Sequence, residues 1–146
     1  MAGWRVGFAV GNADAVAAVT KLKSYIDYGT FQPIQIASTV ALKELDEYPF
    51  ELSTVYKERR ELVVEHLKDL DFIVQESDAT MFVWAKLPEK FHKDSLKFSL
   101  DILEKSNVAL SPGVGFGKFG EGYIRIALVE NKQRIRQAMK NIKAAL

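Results

Sequence analysis

Apolar and polar positions change period several times along the chain, and each change marks an element. Residues 6–10 form a short apolar run closed by Gly11-Asn12, which predicts a buried strand. Asn12 then suits the N-cap of a helix running to about Asp27, with Val16, Val19, Leu22 and Ile26 on one face. Residues 28–32 read as a loop, and Pro33 fits the first turn of a second helix ending near Asp46. Tyr48-Pro49 punctuates the chain again. From Glu51 to about Leu70 comes the longest helical pattern, with Leu52, Val55, Tyr56, Leu62, Val63 and Leu67 set against Lys57, Glu58, Arg60, Glu61 and Lys68.

Residues 72–75 and 81–86 predict two strands joined by the turn-rich Glu76-Ser77-Asp78, with Leu87-Pro88 ending the second. Asp94 caps another helix, with Leu96, Leu100 and Leu103 as its apolar face and Asn107 as its terminator. A brief strand at residues 108–110 leads into a glycine-rich loop over residues 112–122. Residues 123–129 predict a strand, and Asn131 opens a last helix with Ile135, Met139 and Ile142 inward. This order predicts an α+β fold in which a small antiparallel or mixed sheet carries helices on one side. The expected boundary lies near Tyr48-Pro49, dividing residues 1–48 from residues 49–146.

Composition narrows the partners. Twenty Lys and Arg against nineteen Asp and Glu give a net charge of +1, with both signs interleaved. That balance offers no reason to expect nucleic acid or an anionic membrane as a partner. The absence of cysteine excludes disulfides, thiolate metal sites and a cysteine nucleophile. No apolar stretch approaches a membrane span, and the first residues show no basic region followed by an apolar core, so a cytoplasmic location is expected.

Three local patterns bear on chemistry. Gly3-Trp4-Arg5-Val6-Gly7 places an arginine in a glycine-bounded turn, either as a fork of donors for a phosphate or carboxylate or as a plain surface residue. The loop over residues 112–122 holds a literal G-x-G-x-x-G at Gly115, Gly117 and Gly120. A dinucleotide site would need a helix directly afterwards, and Tyr123 begins a strand. A flexible active-site loop and a hairpin connection remain the two readings. In Tyr123-Ile124-Arg125-Ile126-Ala127, Arg125 interrupts an apolar strand. Either it meets an internal carboxylate or an incoming anion, because an unpaired buried cation costs several kcal/mol, or alternation puts it on the solvent face with Tyr123 and Ala127. Phe82 and Trp84 read as sheet and core packing rather than as a binding platform. His66 and His92 have no acidic or histidine neighbour at ligand spacing, so no metal site is expected.

Together these segments resemble fold-type-I aminotransferases of the class I/II group, the aspartate and alanine aminotransferase relatives. Ala2-Gly3-Trp4-Arg5-Val6-Gly7 looks like the family's segment after the cofactor-holding lysine, and residues 30–38 resemble its stretch before the domain-linking helix. Ala79-Thr80-Met81-Phe82-Val83-Trp84 is similar to a strand of its small domain. Ser111-Pro112-Gly113, Phe116-Gly117 and Gly122-Tyr123-Ile124-Arg125-Ile126-Ala127 resemble its C-terminal signature.

The resemblance implies a pyridoxal-phosphate enzyme that moves an amino group between an amino acid and a 2-oxo acid. Arg125 would bind the substrate α-carboxylate and Arg5 the cofactor phosphate. Residues 1–48 would be a remnant of the large cofactor-binding domain, and residues 49–146 the small C-terminal domain. The lysine would lie a few residues before the position of Met1, so the chain alone is expected to hold no cofactor and to be inactive. The family also implies a homodimer for the parent, and the uncovered face of residues 1–48 implies self-association of this piece. Two other readings stay open: a relative using the same cofactor for elimination or decarboxylation, and a non-catalytic interaction module.

Overall fold

A computed structural model describes residues 1–75, 77–91 and 94–146, and it divides into two compact units, Met1–Pro49 and Phe50–Leu146. In the first unit, helix α1 (Ala13–Ile26) starts where the Asn12 side chain accepts the Ala15 N–H at 3.1 Å. It ends at Asp27, whose N–H reaches the Lys23 carbonyl and whose carboxylate pairs with the Lys23 ammonium at 2.6 Å. Helix α2 (Gln32–Glu44) carries Pro33 in its first turn, where a missing N–H costs nothing.

Residues 6–10 do not form the expected strand; a single 3-10 turn over Ala2–Trp4 precedes them, and Arg5 takes a left-handed φ of 54°. An apolar run becomes a strand only when another extended segment pairs with its backbone groups. Among the described residues of this unit there are helices and no second strand.

The second unit is built on helix α3 (Tyr48–Lys68), whose first turn crosses the boundary and includes Pro49. The punctuation expected at Tyr48-Pro49 is therefore a helix start. A four-stranded antiparallel sheet follows in the order β1-β2-β4-β3, from β1 (Ile73–Val74), β2 (Phe82–Lys86), β3 (Ser111–Pro112) and β4 (Tyr123–Ala127). In β2 and β4, alternation puts Val83, Ala85, Ile124 and Ile126 into the core. There they join Val63 and Leu67 of α3, Phe98 and Ile102 of α4 (Ser95–Ser106), and Ile135, Met139 and Ile142 of α5 (Lys132–Ala145). The fold is α+β, with the helices covering one side of the sheet.

Caps set the helix limits. Asp94 accepts the Lys97 N–H at 2.8 Å, Asn107 closes α4 at φ 55°, and Asn131 accepts the Arg134 N–H at 3.0 Å. The buried face of α4 differs from the expected leucine stripe. Leu96, Leu100 and Leu103 are exposed, while Phe98 and Ile102 point inward between Ser95, Ser99 and Ser106. Small serines let this face approach the rest of the unit closely; the Ser106 hydroxyl donates to the Ile102 carbonyl at 2.6 Å, while that of Ser99 is buried without a partner.

Two strand limits also move. Strand β4 stops at Ala127 because the Arg59 guanidinium takes the carbonyls of Leu128 (2.8 Å) and Val129 (3.3 Å). The strand expected at residues 108–110 pairs at Ser111 and Pro112 instead, opposite Arg125 and Ile124. Val108 and Leu110 serve the core, and the ladder begins where β4 comes alongside.

Candidate functional site

The sheet face turned away from the helices carries the candidate site. Antiparallel partners that stand directly opposite share a face. Trp84 opposes Arg125, Phe82 opposes Ala127, Lys86 opposes Tyr123, and Ser111 flanks Arg125 from β3. Phe82, Trp84, Tyr123 and Arg125 therefore stand together on one surface, all half-buried. Phe82 and Trp84 pack on this face and not in the core, because the period of two hands the core positions to Val83 and Ala85.

Arg125 lies in an aromatic cluster. Its guanidinium carbon is 4.1 Å from the Phe82 ring centre and 4.3 Å from that of Phe116. Trp84 stacks on Tyr123 at 5.5 Å and meets Phe116 edge-on at 5.7 Å. The Arg125 Nε is buried without a hydrogen-bond partner, and none of the ion pairs among the described residues includes Arg125. Of the two readings posed by the sequence, the structure shows the position on the face away from the core, but not an open one, and no internal carboxylate among the described residues. Arg125 is on the face opposite the core, yet neighbouring rings cover it. A cation held this way without an internal counter-charge is suited to an external anion.

Phe116 comes from the glycine-rich segment, which is folded and tethered, closer to the hairpin connection than to the flexible loop of the two readings left open by the sequence. It forms 3-10 turns over Gly113–Phe116 and Lys118–Gly120. A Cβ on Gly113 would lie 2.0 Å from the Gly120 carbonyl oxygen, and one on Gly120 would lie 2.0 Å from that of Gly113. These two glycines serve backbone contact, not mobility. One Glu121 carboxylate oxygen accepts the N–H of Ser95 at 2.6 Å and of Gly122 at 2.8 Å. The Ser95 hydroxyl in turn accepts the Val114 N–H at 3.2 Å. The Ser95 N–H, followed by that of Gly122, binds the charged form and holds the Glu121 carboxyl below its ordinary value. At the other edge, Arg60 donates to the Ser77 carbonyl and fixes the entry to β2, where Thr80 adopts φ 72° just before Phe82.

Arg5 belongs to the other unit. It is exposed, joins none of the ion pairs among the described residues, and lies between Gly3 and Gly7, around which space is open. A free guanidinium on an open turn fits one contact to a phosphate. Among the described residues no three His, Asp or Glu side chains converge on a metal position. His66 accepts or donates only locally, to the Leu62 carbonyl at 2.8 Å, and His92 and Glu76 lie outside the described residues. No helix is long and apolar enough to cross a membrane.

The sequence patterns singled out Arg125 and the loop, but not Phe116, Glu121, Ser95 or Arg60 as parts of one arrangement. Phe116 and Glu121 stand 9 and 4 positions before Arg125 in the chain, and only the hairpin folds them back beside it. The one available hint was an aromatic residue inside a glycine-rich turn.

Comparison with known proteins identifies the family. The family model for aminotransferase class I and II matches residues 1–142. The putative aminotransferase AatC of Rhizobium meliloti is 53% identical over 100% of this chain and 36% of its own length. The glutamate-pyruvate aminotransferase AlaC of Escherichia coli is 45% identical over 99% of this chain and 35% of its own. A solved structure, a probable N-succinyldiaminopimelate aminotransferase from Thermus thermophilus, superposes with a TM-score of 0.88 at 38% identity, covering 100% of this chain and 39% of that one. The chain spans little more than a third of the length of these relatives. By the match along nearly all of its residues, it belongs to the class I and II aminotransferases.

Proposed function

We propose that this chain supplies the carboxylate-binding face of a pyridoxal-phosphate-dependent aminotransferase, which transfers an amino group between an amino acid and a 2-oxo acid. The observation that carries the reading is the Arg125 guanidinium, set among rings with its Nε unpaired and no acidic partner among the described residues. A planar fork of this kind binds a carboxylate with two parallel hydrogen bonds. Holding the substrate by its α-carboxylate fixes the direction of the bond to the α-hydrogen, an effect of orientation on rate. The half-buried setting strengthens the contact by excluding water from one side.

Arg5 is the residue of this chain that would hold the cofactor phosphate. The cofactor, when bound, supplies the electron sink for breaking bonds at the α-carbon. Residues 1–48 then correspond to part of the cofactor-binding domain and residues 49–146 to the small domain. A homodimer is proposed for the full-length protein, which would act in the cytoplasm. For this chain alone we propose self-association through the exposed apolar face of α1. The relatives named above differ in the donor that their names state, so the choice of amino acid is not carried by the residues they share with this chain.

In the full-length protein, Arg125→Ala should raise KM and lower kcat for amino acids, a loss of about 2–5 kcal/mol in transition-state binding. Arg125→Lys should restore only part, because an ammonium lacks the planar fork. Near-normal kinetics of the alanine variant with both substrates would remove Arg125 from the site. Product formation that does not depend on a 2-oxo acid would favour elimination or decarboxylation in place of transfer.

A further inference from the structure

Resting on the reading of Arg125 as the carboxylate clamp, we propose that Phe82 and Phe116 are its positioning residues. Their rings close on the guanidinium and hold its donor edge toward the ligand. Three observations lead there. Both ring centres lie within 4.3 Å of the same guanidinium carbon, well inside the range of a cation–π contact. Neither ring brings charge, and no carboxylate pairs with Arg125 among the described residues. An acidic partner would also orient the group, but it would compete with an incoming carboxylate for the same donors. Rings orient it and leave its charge in place.

The third observation is how firmly Phe116 is delivered. The residue is 51% exposed, so burial does not account for its position. It stands at the end of a 3-10 turn that the Gly113–Gly120 backbone contact compresses, and it rests edge-on against Trp84. The Ser95 and Glu121 hydrogen bonds tie both ends of the segment to the start of α4. Phe82 is fixed from the other side by the β2–β4 register and by Arg60 at the preceding turn. A flexible arginine side chain loses rotamer freedom when it grips a ligand, and a clasp formed beforehand removes part of that cost.

The test is a double-mutant cycle in the full-length enzyme, reading the inhibition constant of propionate (a carboxylate with no amino group) and the split between KM and kcat for the amino-acid substrate. Phe116→Leu keeps apolar bulk and removes the ring face; it should weaken propionate roughly 5- to 30-fold and act mainly on KM. Phe116→Tyr retains a ring face and should stay near wild type. In an Arg125→Ala background, Phe116→Leu should have no further effect, and Phe82→Leu should behave in the same way. A purely structural role for Phe116 would instead persist in that background, and such persistence overturns the clasp. Loss of affinity with Arg125→Ala but none with Phe116→Leu overturns the clasp and leaves the clamp standing. Unchanged propionate affinity in Arg125→Ala overturns both. Should Phe116→Leu fail to fold, equal affinity of a folded Phe116→Met variant and wild type would overturn the proposal equally well.

Discussion

The two units of the chain use the same helix chemistry and bury very different amounts of it. Helix α1 has an N-cap, an ion pair in its last turn and an apolar stripe, yet none of its residues is buried. Helix α4 has the same kind of cap and buries Ser95, Phe98, Ser99, Ile102 and Ser106. Leu22 on α1 is 62% exposed, whereas Leu67 on α3 is fully buried in the core of the second unit. The difference shows that capping and periodicity create a helix, while burial needs a facing surface. The sheet provides that surface for α3, α4 and α5. It also explains where the candidate site lies. A sheet with one face sealed by helices leaves its other face to hold Arg125 and the rings.

The contrast is sharpest in a matched pair of substitutions. Leu67→Ala should destabilise the second unit by about 2–5 kcal/mol, through lost burial and the cavity left behind. Leu22→Ala should change the same unfolding transition by less than about 0.5 kcal/mol, as for an exposed site. Urea unfolding followed by tryptophan fluorescence reads both, since Trp84 lies in the sheet. Equal losses would mean that the two units share one core.

A second prediction concerns the exposed stripe itself. Val19, Leu22, Ile26, Ile36 and Val40 are all exposed, and apolar area left in water forgoes about 25 cal/mol for every Å². At micromolar concentration this chain should scatter light as a dimer or larger, and Leu22→Asp should shift it toward monomer. A monomer at every concentration would contradict self-association through this face.

The smallest expected effect separates two carboxylates, one in each unit. Asp27 is held below its ordinary value by the Lys23 side chain first and the Gly29 N–H second, while Glu121 is held down by the N–H groups of Ser95 and Gly122. In both cases the folded form prefers the charged state. The stabilisation is complete above the unfolded carboxyl value, near 4.5 for Glu121, and is lost as pH falls through the lower folded value. Glu121→Gln should therefore narrow its gap from wild type as pH drops below about 4.5. Added salt should weaken the contribution of the exposed Lys23–Asp27 pair more than that of Glu121. A gap for Glu121→Gln that stays constant from neutral to acid pH would exclude this role.

These cases also explain what the sequence disclosed. Asn12, Asp94 and Asn131 were legible as caps because capping is a contact over three residues, as the Ala15, Lys97 and Arg134 N–H partners show. Arg125 stood out as a charge between two isoleucines, but alternation left its surroundings open and only the family resemblance gave it a role. Residues 6–10 misled because an apolar run does not say whether a pairing strand exists. The face of α4 misled because serines that permit close packing look polar in a pattern. The roles of Gly113, Gly120, Phe116 and Glu121 depend on contacts made only when the hairpin closes, so local periodicity carries no trace of them.

If Arg125 reads a carboxylate, taking that carboxylate off the substrate should expose it directly. In the full-length enzyme, kcat/KM should be compared for an amino acid and for its α-amide, in wild type and in Arg125→Ala. Wild type should favour the acid strongly, and the substitution should shrink that preference by at least about 30-fold, the equivalent of losing one charged, hydrogen-bonded contact. A preference for the acid that survives Arg125→Ala undiminished would show that the carboxylate is bound elsewhere.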